Sequence, residues 1–137
     1  MKKYLLSLVV LIGIALNADA QQYVLLKQGT ASDTISKSQT KYTSAVNLNT
    51  QVLQSVIVAV KTTSVSGTPD TKYVLQRSVD NVNWWSLAGD TISYSATATQ
   101  YVTVNPFYGA FARVKIYTGS GTQLSKMTIS LKSNNVQ

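Results

Sequence analysis

The chain has 137 residues and a formal net charge of +7, from 12 Lys and Arg against 5 acidic residues, all of them Asp. Because it contains no His and no Cys, a zinc site through those ligands and any disulfide are excluded, and we expect no lipoprotein anchor. The abundance of Ser, Thr, Gln, Val and Tyr in short alternating runs is typical of a small exported β protein.

The first residues predict a targeting segment. Two lysines near the start are followed by an apolar run over residues 4–16 and by the small-x-small sequence of residues 18–20. This pattern predicts a signal peptide over residues 1–20, cleaved before Gln21. An uncleaved anchor is the alternative, but the run is shorter than the roughly 20 residues that span a bilayer. We therefore expect one domain over residues 21–137, no transmembrane span after cleavage, and export to the periplasm, cell surface, extracellular space or virion surface.

Two-residue alternation runs through the rest of the chain, and no helical period is sustained. The segment over residues 52–63 is apolar on both faces, so we expect a central strand there. Around eight short strands separated by regular turn signals predict an all-β fold, an antiparallel β-sandwich or jelly roll. The predicted strands are residues 23–27, 44–48, 52–63, 72–78, 90–95, 100–104, 111–117 and 124–132.

Three connecting segments give further expectations. Gly119-Ser120-Gly121 separates the last two strands and predicts that they form a hairpin. The polar stretch over residues 30–43 predicts a loop or an edge strand, since it has few large apolar side chains. We expect the tail over residues 133–137 to be frayed.

The residue types and motifs of the chain give little support to an enzymatic function. One Ser-x-x-Lys match exists, Ser38 to Lys41, but neither Ser-Asp-Asn nor Lys-Thr-Gly accompanies it. The Asp residues after the leader lie in turn-like or polar segments, and no Asp-rich loop suggests calcium. We therefore predict a protein that is not an enzyme and has no cofactor and no metal site.

A family resemblance is carried by the C-terminal half. The segment over residues 73–84 is a strand that ends in Ser-Val-Asp, followed by a polar turn and a Trp, and residues 111–116 later form an aromatic-Ala-Arg-Val strand. This arrangement resembles the discoidin or coagulation-factor type C sandwiches and other jelly-roll modules. With Gly121-Thr122 and a final strand over residues 127–132, it is also similar to small β-sandwich proteins of bacteriophage virions. The resemblance implies a jelly-roll fold and does not specify a function.

The paired tryptophans suggest a contact surface. Trp84 and Trp85 are adjacent, so on a strand they face opposite sides and one of them is expected to be exposed. Scattered lysines without a cluster predict no nucleic-acid partner. We predict an exported structural or adhesion protein that associates with itself or with a protein partner; the alternative is a secreted carbohydrate-binding module with a glycan ligand. The candidate contact residues are Trp84, Trp85, Asp80, Asn83, Arg77 and Tyr108.

Overall fold

The computed structural model describes residues 22–29, 31–48, 54–93 and 99–135. The predicted signal peptide and its cleavage site lie outside the described residues. These residues contain two short 3-10 turns, at Ala31–Asp33 and Ala88–Asp90. The strands are β1 (Gln22–Lys27), β2 (Thr34–Ser36), β3 (Thr40–Tyr42), β4 (Val46–Asn47), β5 (Gln54–Gly67), β6 (Lys72–Ser78), β7 (Thr91–Ser93), β8 (Gln100–Phe107), β9 (Phe111–Tyr117) and β10 (Gln123–Asn135).

The strands form two antiparallel sheets. Sheet A has the order β1-β10-β5-β8, with β2 also paired to β10, and sheet B has the order β3-β9-β6-β7, with β4 also paired to β9. Because β1 and β2 share one neighbour, and β3 and β4 share another, the ten segments occupy eight strand positions. From one position to the next, the chain crosses to the other sheet at every step except β6 to β7. This is the jelly-roll arrangement, and it confirms the predicted fold class.

Alternate residues of the long strands face the core between the sheets. The side chains of Ala112, Val114 and Ile116 point inward from β9, and those of Met127, Ile129 and Leu131 point inward from β10. A polar contact also crosses this core, because Thr62 Oγ1 of sheet A and the Tyr73 hydroxyl of sheet B lie 2.6 Å apart in a buried hydrogen bond. The two sheets therefore share one packed interior.

The strand predictions agree with the structure over most of the chain. The strands predicted at residues 72–78 and 111–117 coincide with β6 and β9. The segment predicted to be central is β5, which lies between β10 and β8. Residues 94 and 95 of one predicted strand, and residues 52 and 53 of another, lie outside the described part of the chain.

The predicted hairpin between the last two strands is wrong. Strand β9 lies in sheet B and β10 in sheet A, so residues 118–122 cross from one sheet to the other. The crossing is held at both ends: Thr118 Oγ1 donates to the Ser36 carbonyl at 2.7 Å, and Gln123 Nε2 donates to Asp70 Oδ1 at 2.7 Å. A short glycine-rich loop permits either connection, and here these distant partners select the crossover.

The polar stretch and the tail also pair with the sheets. Strands β2 and β3 lie within residues 30–43 and pair at the edges of sheets A and B, as the edge-strand alternative predicted. Ile35 of β2 is fully buried, so one apolar side chain anchors this polar segment. The tail was expected to fray from residue 133, but β10 continues to Asn135 and pairs with β5 there. Its last two residues lie outside the described part.

Candidate functional site

Arg77 lies inside the sandwich rather than on a contact surface. It faces the core opposite Ala112, and only 1% of the residue is exposed. Its Nη2 donates to Asp90 Oδ2 at 2.5 Å, and its guanidinium lies 5.0 Å from the centre of the Phe107 ring. Arg77 was predicted to be a contact residue, but in this position its charge is already paired and its side chain is closed to an outside ligand.

Asp80 and Asn83 form a turn that follows β6. Asp80 Oδ1 accepts hydrogen bonds from the backbone N–H groups of Val82 and Asn83 at 2.9 and 2.8 Å, and Oδ2 accepts from Asn83 Nδ2 at 2.6 Å. The Asn83 and Val82 backbone N–H groups, together with the Asn83 and Ser78 side chains, lower the pKa of Asp80 far below its ordinary value. Asn81 adopts a left-handed φ of 61°, which Asn tolerates well. These two predicted contact residues therefore have a structural task, which is to hold the turn.

The turn presents apolar side chains to solvent at one end of the sandwich. Trp85 is fixed beside the end of β6, since it exchanges two backbone hydrogen bonds with Arg77 at 2.9 and 3.1 Å. The loop after β8 reaches the same place, because the Ala110 N–H donates to the Ser78 carbonyl at 2.8 Å. We call the five exposed large apolar residues at this end the tip: Val79, Val82, Trp85, Leu87 and Tyr108. No Lys or Arg occurs in residues 79–89 or 108–110.

Trp84 points to a different surface, the outer face of sheet B. The Arg113 guanidinium carbon lies 4.1 Å from the centre of the Trp84 ring and 4.4 Å from the centre of the Tyr42 ring. Arg113 Nε also donates to Gln76 Oε1 at 2.9 Å. The guanidinium thus lies within cation–π distance of two aromatic rings and is oriented by an amide, and no residue that the structure describes accepts a hydrogen bond from its terminal nitrogens.

Two lysines share this face with Arg113. Lys115 is the next outward residue along β9, and its Nζ lies 5.5 Å from the centre of the Tyr117 ring. Lys72 pairs in register with Tyr117 across β6 and β9 and is exposed. We call this set the cationic face: Tyr42, Lys72, Gln76, Trp84, Arg113, Lys115 and Tyr117.

Within the residues that the structure describes, no carboxylate forms an ion pair with Lys72, Arg113 or Lys115. Asp33 pairs with Lys27 at 2.8 Å, and Asp90 pairs with Arg77. Asp70 Oδ1 accepts from Gln123 Nε2, and the oxygens of Asp80 are occupied by its own turn. The positive charge of this face is therefore not neutralised by the described part of the protein.

Other potential sites carry less chemistry. A cleft of about 590 Å³ lies between β7 and β8, and its lining, which consists of Gly89, residues 91–93 and residues 99–102, has no charged side chain. Within the described residues, no three His, Cys, Asp or Glu side chains group as metal ligands would. None of the helical turns in that part of the chain has the length and apolarity to span a bilayer.

The composition of the cationic face was only partly predicted from sequence. Trp84 was named as a candidate, and the outward alternation of Arg113, Lys115 and Tyr117 is visible in the residues of β9. Tyr42 was missed because its segment was predicted to be a loop or an edge strand with no partner strand assigned. Only the pairing of β3 with β9 brings its ring to Arg113.

Comparisons with known proteins support the fold. No protein-family model matches the chain, and no curated protein matches it. The VP2 subviral particle of infectious bursal disease virus superposes with a TM-score of 0.60 at 10% identity, over 87% of this chain and 33% of that one. The chain thus spans about a third of the VP2 chain.

Two further structures are similar over most of their length. A pilus protein of Bacillus endospore appendages aligns with a TM-score of 0.48 and 13% identity, covering 86% of this chain and 88% of that one. A low affinity xylan binding module from Roseburia intestinalis aligns with a TM-score of 0.44 and 11% identity, covering 85% of this chain and 96% of that one. The likeness to jelly-roll proteins is confirmed and extends well beyond the C-terminal half in which the sequence pattern was found; at these identities it shows the fold alone.

Proposed function

We propose that the chain is an exported, non-enzymatic structural or adhesion protein that associates with a second copy of itself through the tip. The tip carries this proposal: five large apolar side chains are exposed together on two loops whose backbones are tied to the end of β6. Val82 is 75% exposed on a turn that Asp80 holds in one conformation. Exposed apolar groups on a rigid support are typical of a protein contact surface.

A second copy fits the tip better than a charged partner does. The chain carries a net charge of +7, so two copies repel each other wherever Lys and Arg are present. The tip segments have no such residue, and the one carboxylate among them is bonded within its own turn. An apolar, nearly uncharged patch can face its own copy across a two-fold axis.

The test is the mass and assembly state of the natively exported protein, measured by intact mass spectrometry and light scattering. We expect a processed chain that begins at Gln21 and forms a dimer or larger assembly. Val82→Asp should convert it to a monomer. The matched control is Val65→Asp, since Val65 is also exposed, at 49%, and lies on β5 at the other end of the sandwich. A wild-type monomer, or equal dissociation by both substitutions, would refute the proposal.

Carbohydrate binding is a second candidate function, favoured by the position of Trp84. Its ring is held against the outer face of sheet B beside Arg113, where an extended ligand could lie across exposed strands. Trp85 belongs to the tip instead. We therefore expect Trp84→Ala to lose glycan affinity and Trp85→Ala to keep it. Unchanged affinity in the Trp84 variant would rule out this site.

A further inference from the structure

We propose that the cationic face binds an acidic glycan, with Arg113 receiving a carboxylate or sulfate group of the sugar chain. This inference rests on the second candidate function and specifies its ligand class and its central residue.

The geometry of Arg113 is that of a prepared anion site. Its guanidinium carbon lies 4.1 Å from the centre of the Trp84 ring and 4.4 Å from the centre of the Tyr42 ring, and its Nε donates to Gln76 Oε1. The side chain is therefore oriented before a ligand arrives. Its terminal nitrogens have no acceptor among the residues that the structure describes, and a guanidinium edge binds planar oxyanions through two parallel hydrogen bonds.

The charge pattern fits a polymer with repeated negative groups. Arg113 and Lys115 are successive outward residues of β9, roughly 7 Å apart along the strand. Lys72 adds a third cation on the neighbouring strand, in register with Tyr117. An extended acidic chain could contact more than one of these charges, whereas a single small anion could not.

The surroundings favour a sugar over a peptide. Gln76, Thr40 and Thr91 lie on the same outer face and offer hydrogen bonds to hydroxyl groups. Val74, the apolar residue between Lys72 and Gln76, is 8% exposed and gives no open pocket for a peptide side chain. The exposed ring of Tyr42 and the half-buried ring of Trp84 can border a sugar ring.

Polygalacturonate is the probe, because every residue of it carries a carboxylate, and carboxyl-reduced polygalacturonate is its neutral counterpart with the same linkages. We expect calorimetry to show binding to the acidic polymer that weakens as NaCl is added, with little binding to the reduced polymer. Arg113→Gln should reduce the affinity by about tenfold or more. Arg113→Lys should lose less, since it keeps the charge but not the planar fork.

Lys61→Gln is the matched control. Lys61 is an exposed cation on β5, in the other sheet, and removing it changes the net charge as Arg113→Gln does. The affinity of the Lys61→Gln variant for polygalacturonate should equal that of the wild type. Because Arg113 also supports Trp84, thermal melts by circular dichroism should accompany each variant. Lys115→Gln is a second test, because it removes a positive charge from the cationic face and leaves Arg113 in place.

An independent readout comes from fluorescence. The chain has two Trp residues, so Trp85→Phe leaves Trp84 as the reporter. Polygalacturonate should change its emission in this variant, and the change should disappear when Arg113→Gln is added.

Each other outcome contradicts the inference in a different way. Equal binding of the reduced polymer would keep a glycan function but refute the anion site. If the protein binds single-stranded DNA more tightly than polygalacturonate, the cationic face would be assigned to nucleic-acid binding instead. Binding that Arg113→Gln and Lys115→Gln leave unchanged would place the site elsewhere. No glycan binding at all would remove both this inference and the second candidate function, while the self-association proposal would stand on its own test.

Discussion

Arg77 and Asp90 show how a single residue can be misread from sequence. An arginine near the end of a predicted strand is normally expected at the surface, since arginines are rarely fully buried. Here the pair is almost completely buried, with side-chain exposures of 2% and 6%. Asp90 also accepts from the Leu87 N–H at 3.1 Å, so one carboxylate neutralises the arginine and fixes the 3-10 turn.

Removing this carboxylate should be among the most destabilising changes in the chain. Asp90→Ala leaves Arg77 as an unpaired buried charge, and we expect a loss of about 3 to 5 kcal/mol in the free energy of unfolding. Urea denaturation measures it. Replacing both partners, as Arg77→Met with Asp90→Leu, should lower the free energy of unfolding less than Asp90→Ala alone does, because no charge is then left without a partner. A double variant that is less stable than the single one would contradict this explanation.

Asp80 predicts a dependence on pH. Hydrogen bonds from Asn83 and Val82 lower its pKa in the folded state, so its contribution to stability is fully present above the unfolded pKa of about 3.9. That contribution is lost as the pH falls through the lower, folded-state pKa. Tryptophan fluorescence during acid titration should therefore report an intact turn at pH 4 and a loss only in stronger acid.

Asp80→Asn is the control for this titration. The amide cannot ionise and cannot accept from Asn83 Nδ2 as Oδ2 does, so the turn should be weaker at neutral pH and its fluorescence should lose the acid step. If both proteins titrate alike, another carboxylate is responsible for the signal.

At the scale of the element, strand positions were largely predictable and strand partners were not. Alternation defined β9 because this strand buries every second side chain, and in β6 the large side chains of Tyr73, Leu75 and Arg77 face the core. The same alternation says nothing about which sheet comes next. The choice at residues 118–122 depends on Thr118 and Gln123, whose partners lie far away in the sequence. For the same reason, the pairing that brings Tyr42 to Arg113 could not be read from the chain.

The end of β5 gives the prediction that belongs to this scale. Gly67 has a φ of 72°, and a Cβ placed there would lie 1.7 Å from the Thr122 carbonyl oxygen. Gly67→Ala therefore combines a left-handed conformation, unfavourable by about 1 to 2 kcal/mol, with a clash against the backbone next to β10. We expect at least that loss of stability in urea denaturation.

Gly89→Ala is the matched control for the same substitution. A Cβ at Gly89 meets no atom within 4 Å, so the variant should unfold at nearly the wild-type urea concentration. A similarly small loss of stability at both glycines would mean that the backbone at Gly67 can move aside. The connection between the sheets would then be more easily deformed than the structure indicates.

At the scale of the whole molecule, the jelly roll separates two surfaces of different character. The tip is apolar and carries no Lys or Arg, whereas the outer face of sheet B carries three unneutralised cations. Trp84 and Trp85 are neighbours in sequence, yet one borders the cationic face and the other belongs to the tip. The sequence predicted that they would diverge, but only the sheet pairing shows what each one joins.

The two proposals together predict avidity for polymers. If the tip joins two copies, one assembly presents two cationic faces, and a long acidic chain can occupy both. Val82→Asp should then lower the apparent affinity for polygalacturonate by about tenfold or more, although Val82 is not part of the cationic face. A short oligomer such as trigalacturonate cannot bridge two faces, so its affinity should be the same for the wild type and for this variant.

Arg113→Gln supplies the opposite pattern in the same calorimetric titrations. It should weaken the binding of both polygalacturonate and trigalacturonate. Light scattering should still find the wild-type assembly, because Arg113 lies on the outer face of sheet B and not in the tip. If Val82→Asp weakens trigalacturonate as well, the two surfaces are coupled through the turn that carries both Asp80 and Trp84. If it weakens neither ligand, the assembly does not present two faces to one chain, and glycan binding is a property of the single protomer.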